Sequence, residues 1–156
     1  MALSKGKRPL FDTVNTKVPV ISDLGATRTL SVDETGATVL LNRAAGIVVT
    51  LPLAIPGLTY DFVVTTSVTS NSYKVITGAA TELLIGQYTS VDTDTSNAVA
   101  VFSGNGSTHI AVTSNGTTTG GLVGTKLRFT CVSLTRWIVE GTMNGSGVVA
   151  TAFATS

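Results

Sequence analysis

The sequence predicts an all-β domain of antiparallel strands behind an extended N-terminal arm, and three observations lead there. Short segments rich in Val, Thr and Ile recur along the whole chain, each bounded by turn residues. No window of about a dozen residues keeps a period near 3.6 without a Gly, a Pro or a β-branched run breaking it, which argues against any long helix. Three Asn-Gly pairs, at 105–106, 115–116 and 144–145, sit between strand candidates, where positive φ at both residues makes tight hairpins, so meanders or Greek keys follow.

The elements read in order as follows. Residues 1–22 form the arm: they hold neither a helical nor a strand period, and Pro9 and Pro19 bracket an extended path. Residues 23–156 form the β domain, with strands expected at 27–32, 37–42, 46–51, 60–66, 73–77, 82–85, 98–102, 109–113, 126–134, 136–141 and 148–153. The segment 86–97, GQYTSVDTDTSN, and most of 104–124 read as polar loops and hairpin tips. The clearest alternation lies in KLRFTCVSLTRWIVEG, residues 126–141. There Leu127, Phe129 and Cys131 fall on one face and Arg128, Thr130 and Val132 on the other; past a turn at 133–135, Trp137 and Val139 return inward and Arg136, Ile138 and Glu140 face out.

Composition narrows the function classes. A chain of 156 residues with 43% apolar residues suffices for one domain with its own core. Only 12% of the residues are charged, fewer than a freely soluble monomer usually displays, so part of the uncharged surface is expected to be covered by a partner. The richest apolar region is interrupted at Asn42, Arg43, Thr50, Pro52 and Pro56, short of the roughly 20 residues of a membrane helix. The basic N-terminus has no apolar stretch behind it, which reads against a secretory signal, and the lone Cys131 can form no internal disulfide. A net charge of +1 supplies no general field for nucleic acid, yet Lys5, Lys7, Arg8 and Lys17 gather at the head of the chain, which reads first as a solvated terminus and otherwise as a docking segment for an acidic surface.

Chemistry-bearing residues are sparse. His109 is the single histidine and reads as an ordinary strand residue, since neither zinc-ligand spacing nor a nucleophile elbow accompanies it. Cys131 reads as a small core residue and Trp137 as a core anchor. The run beginning at Asp92 has oxygen ligands at alternate positions, but Asn97 and Ser103 stand where a calcium loop needs its Gly and its Glu. Asp33 and Glu34 are adjacent and would point to opposite strand faces, so they read as the start of a turn and not as a glycosidase pair. Gly-rich phosphate signatures are missing, and no metal or cofactor is expected.

Two segments carry a resemblance. In the first, Gly46-Ile-Val-Val-Thr-Leu-Pro52 is followed by Gly57-Leu-Thr-Tyr-Asp-Phe-Val63; in the second, Gly124 to Gly141 contains a strand, a short turn, Trp137 and a closing glycine. Together they resemble the small β-rich decoration proteins, also called head-stabilising or cement proteins, of tailed bacteriophages. The resemblance implies a β-sandwich or barrel-like, jelly-roll-like subunit, assembled as a homotrimer on the outside of an expanded icosahedral capsid between capsomers. It implies a non-enzymatic virion protein, made in the host cytoplasm, whose partner is the major capsid protein, without direct contact to nucleic acid or membrane. The arm would hold the shell through Lys5, Lys7, Arg8, Leu10, Phe11 and Lys17. Similar strand patterns occur in phage tail fibres and tailspikes, so a receptor- or carbohydrate-binding β domain is the alternative, for which Tyr88 would be the exposed loop aromatic.

Overall fold

A computed structural model of the chain describes residues 17–94 and 98–156. Among these residues twelve strands form two sheets. They are β1 (Val20–Ile21), β2 (Thr27–Thr29), β3 (Thr38–Leu41), β4 (Ile47–Thr50), β5 (Thr59–Val64), β6 (Tyr73–Ile76), β7 (Leu83–Asp92), β8 (Val99–Ser103), β9 (Ala111–Ser114), β10 (Lys126–Ser133), β11 (Arg136–Gly145) and β12 (Phe153–Ala154). The larger sheet runs β1-β3-β5-β10-β11-β7-β8 and the smaller β12-β9-β6-β4-β2. Among the described residues the only helical element is a 3₁₀ turn at Val32–Glu34.

The chain is all-β, as its composition of β-branched segments predicts, but the antiparallel expectation is corrected. Five of the ten strand pairings are parallel: β1 with β3, β3 with β5, β2 with β4, β4 with β6, and β7 with β11. From β1 to β7 the chain changes sheet after every strand, so sheet neighbours are two strands apart in sequence and run the same way. Parallel neighbours need a crossover, and here the crossover is a strand of the opposite sheet. Nor do the sheets close into a barrel, and their order is not that of a jelly roll.

The two sheets enclose one core. Val39, Tyr60, Phe62, Phe129, Trp137 and Val139 from the larger sheet and Ile47, Val49, Tyr73 and Val112 from the smaller all belong to it, and all are buried. Alternation in β10 and β11 is as read from the sequence: Leu127, Phe129, Cys131, Trp137 and Val139 are buried, and the residues between them face out. The two strands form a hairpin with Cys131 opposite Trp137, and Phe62 packs edge-on against Phe129 with centroids 5.3 Å apart.

The Asn-Gly pairs do not make hairpins. Asn105 lies between β8 and β9, which belong to different sheets, and its side-chain oxygen accepts from the backbone N–H groups of Ser107, Thr108 and His109. Asn115 does the same for Thr117 and Thr119, while Asn144 lies inside β11 opposite Val91. Gly106 and Gly116 take positive φ but their Asn neighbours do not, so the paired conformation of a tight hairpin turn never forms. Side-chain capping of a longer loop replaces it.

The segment 86–97 is corrected as well, since residues up to Asp92 continue β7. Gly86 explains why this was hidden: at φ +91° it is a glycine-only kink within a strand, and a Cβ there would stand 2.4 Å from the Val139 carbonyl oxygen of β11. Gly86→Ala is expected to destabilise the protein by about 1–3 kcal/mol through backbone strain, read as a lower midpoint in urea unfolding, whereas Gly25→Ala, in open space, isolates the conformational part of the cost.

Candidate functional site

The arm residues Lys5, Lys7, Arg8, Leu10 and Phe11 lie outside the described residues. Lys17 is described and exposed. What the structure fixes is where the arm joins the domain. The Pro19 carbonyl accepts from the Thr38 N–H at 2.8 Å, and Val20 and Ile21 run parallel to β3 as the edge of the larger sheet. Since Val20 sits beside Thr38, the first residue of β3, the arm enters at the end of the domain where β3 begins.

The reactive side chains are committed to the interior or to the loops. Trp137 is fully buried and its Nε1–H donates to Glu82 Oε2 at 3.2 Å, while Glu82 Oε1 accepts from the Ala54 N–H at 2.8 Å. Glu82 is 3% exposed and ties the 51–58 loop to the foot of β7 and to β11. The sequence reading assigned it no role. The signal was available: a buried indole N–H requires an acceptor, and Glu82 directly precedes an apolar strand. Cys131 is a core residue as read; its thiol donates to the Ser133 carbonyl, and burial pushes its pKa up, away from a reactive thiolate.

Tyr88, expected on an exposed loop, is 1% exposed in β7. Its hydroxyl accepts from the Ala152 N–H at 2.6 Å, pinning the C-terminal segment, and its ring lies 5.2 Å from that of Phe153. Tyr60 donates to the Ser31 carbonyl, and burial, followed by the charges of Glu34 and Asp33, pushes its pKa up to about 12. His109 precedes β9 and is not itself in a strand; Nδ1 accepts from the Asn105 N–H at 3.2 Å and the ring stacks on Phe153 at 5.4 Å.

The acidic residues also act locally. Glu34 closes a capping box with Ser31 on the 3₁₀ turn and pairs with Arg28. Desolvation raises its pKa, but the Ser31 and Arg28 hydrogen bonds outweigh it and the net shift is downward. Asp92 Oδ1 accepts from the Asp94 N–H and Asp94 Oδ2 from the Gly147 N–H, so both carboxylates bind backbone. Among the described residues no group of three or more His, Cys, Asp or Glu is arranged to hold a metal ion.

One concavity opens on the outer face of the larger sheet, about 410 Å³ and lined by Asp61, Lys126, Arg128, Glu140, Gly141 and Thr142. The register sets Arg128 of β10 between Asp61 of β5 and Glu140 of β11. Its guanidinium grips Asp61 with two bonds of 2.8 Å. With Lys126 alongside, two acids and two bases balance, and the row serves as a cross-strand charge ladder. Comparison of the chain with family models, with curated proteins and with solved structures finds no match. No helix among the described residues is long and apolar enough to cross a membrane.

The Arg128 hydrogen bond holds the Asp61 carboxyl below its usual range against partial desolvation, with the charges of Arg128 and Lys126 adding to it. A depressed folded-state pKa stabilises above the unfolded value near 4 and loses that contribution as the pH falls through the folded value. Arg128 is half exposed, so the pair contributes within about 1 kcal/mol. The difference in melting temperature between wild type and Asp61→Asn is therefore expected to be constant at neutral pH and to shrink below about pH 4, as a thermal-unfolding series across pH will read.

Proposed function

We propose that the protein is a non-enzymatic structural component of a phage virion, bound to the outer surface of an icosahedral capsid between capsomers and stabilising the expanded head. The observation that carries this reading is the way the N-terminal segment meets the domain: it lies along the sheet edge through β1, and the four basic residues of its first seventeen positions stand apart from a body low in charge. A basic segment leading into a weakly charged β body suits docking, because clustered cations speed and orient encounter with an acidic surface. A homotrimer would present three such arms and gain avidity through effective concentration, without any new contact. The major capsid protein is the partner in this reading, and neither nucleic acid nor membrane takes part.

The commitment of Trp137, Cys131, Glu82 and Tyr88 to the core supports a structural role over catalysis. It also weakens the tail-fibre alternative, which needed Tyr88 on the surface.

Cosedimentation with expanded capsid shells, comparing the full chain with one lacking residues 1–16, tests the proposal. Saturable binding by the full chain, reduced at least about a hundredfold by truncation as avidity through the arms is lost, is expected. Shells that pellet without the full-length protein contradict it.

A further inference from the structure

We infer that β8, the outer edge of the larger sheet, pairs antiparallel with β8 of a second copy of this chain about a two-fold axis through Val101. The inference goes beyond the proposed function and does not rest on it; it would set the arms of that reading in pairs in place of threes.

Half of the β8 backbone is unused. The Asp92 N–H donates to the Ala98 carbonyl and the Gly104 N–H to the Gly86 carbonyl, which fixes the phase of the antiparallel ladder. Ala98, Ala100, Phe102 and Gly104 therefore bond to β7, while Val99, Val101 and Ser103 turn their N–H and C=O groups away from it. No strand among the described residues lies on that side, since β8 ends the sheet. A row of open donors and acceptors at strand spacing fits another extended backbone.

Sheet edges are ordinarily guarded by charge, proline or brevity, and the other three edges among the described residues follow that rule. β1 and β12 have two residues each, and β2 has three with Arg28 at its centre. β8 has five, and residues 98–103 read AVAVFS, without a charge or a proline. Val99 is 64% exposed and Val101 59%. Their neighbours on β7 are Val91 and Thr89, with Gln87 beside Ser103, so this margin of the sheet is uncharged across both strands.

Charge and shape select a second copy as the occupant. A two-fold axis sets an edge against its own residues, which brings like charges together at β2, around Arg28, and brings none together at β8. With the axis through Val101, that residue faces its own counterpart and Val99 faces Ser103, so each open N–H meets an open C=O. The same register sets Phe102, which packs on the core beside Tyr88, against the small Ala100 of the second copy. One strand pair is a small contact, below about 1,200 Å² in total, so the association is expected to be reversible.

Sedimentation velocity of the full chain, from low micromolar to about 1 mM, tests the pairing, with the melting temperature of each variant at dilution showing that its fold is kept. A mass rising from one copy to two is expected. Val99→Lys and Ser103→Glu, both at exposed positions, should each weaken association about tenfold or more, because an unpaired charge is brought into the contact. Combined in one chain they should restore it, because the register sets position 103 of one copy opposite position 99 of the other. One copy at every concentration overturns the pairing, and three copies overturn the two-fold axis. Losses in both single variants without recovery in the double variant overturn the register, and no loss in either overturns β8 as the contact.

Discussion

The structure depends on the chain crossing between sheets after each strand from β1 to β7. Each crossing converts a local run of Val, Thr and Ile into one rung of a two-layered stack, and rungs can stack only in parallel because every circuit returns in the same direction. The crossings also collect the loops at the two ends of the domain. Once Tyr60, Trp137 and Tyr73 fill the space between the sheets, the connecting loops have fixed positions, and the arm has a definite point of entry beside Thr38.

Buried polar groups refine that frame. Glu82 takes donors from Trp137 and Ala54, Tyr88 takes one from Ala152, and the Tyr60 hydroxyl reaches Ser31. Each ties a loop or terminus to the core, and each would be expensive to leave unpaired. Groups that could perform chemistry are thereby used to hold loops in place, and the loops in turn present Leu53, Ile55 and Leu134 to the outside.

Much of this was legible in the sequence where the physics is local. A period of two names a strand and its buried face, so residues 126–141 were readable to the side chain, and the cores of β3, β4, β5 and β6 fall within the segments expected. Partner and direction are not local. The same alternation serves parallel and antiparallel neighbours alike, and the Asn-Gly pairs suggested hairpins although Asn105 and Asn115 fold their own loops through side-chain oxygens. Gly86 looked like a strand terminator because a positive φ inside a strand leaves no trace in sequence apart from the glycine itself. Glu82 and the Asp61–Arg128 pair escaped because their partners lie 55 and 67 residues away. The basic residues of the arm were visible as a charge cluster, and β1 at the end of that stretch shows where it is anchored.

The central claim is the proposed one, that the basic N-terminal segment carries the β body onto an acidic partner surface. Hydrogen–deuterium exchange of the protein alone and on expanded shells addresses it directly. The account predicts added protection over residues 1–16, with the outer strand β8 and the 115–121 loop unchanged. Protection confined to β8, or an exchange pattern identical with and without shells, would contradict it.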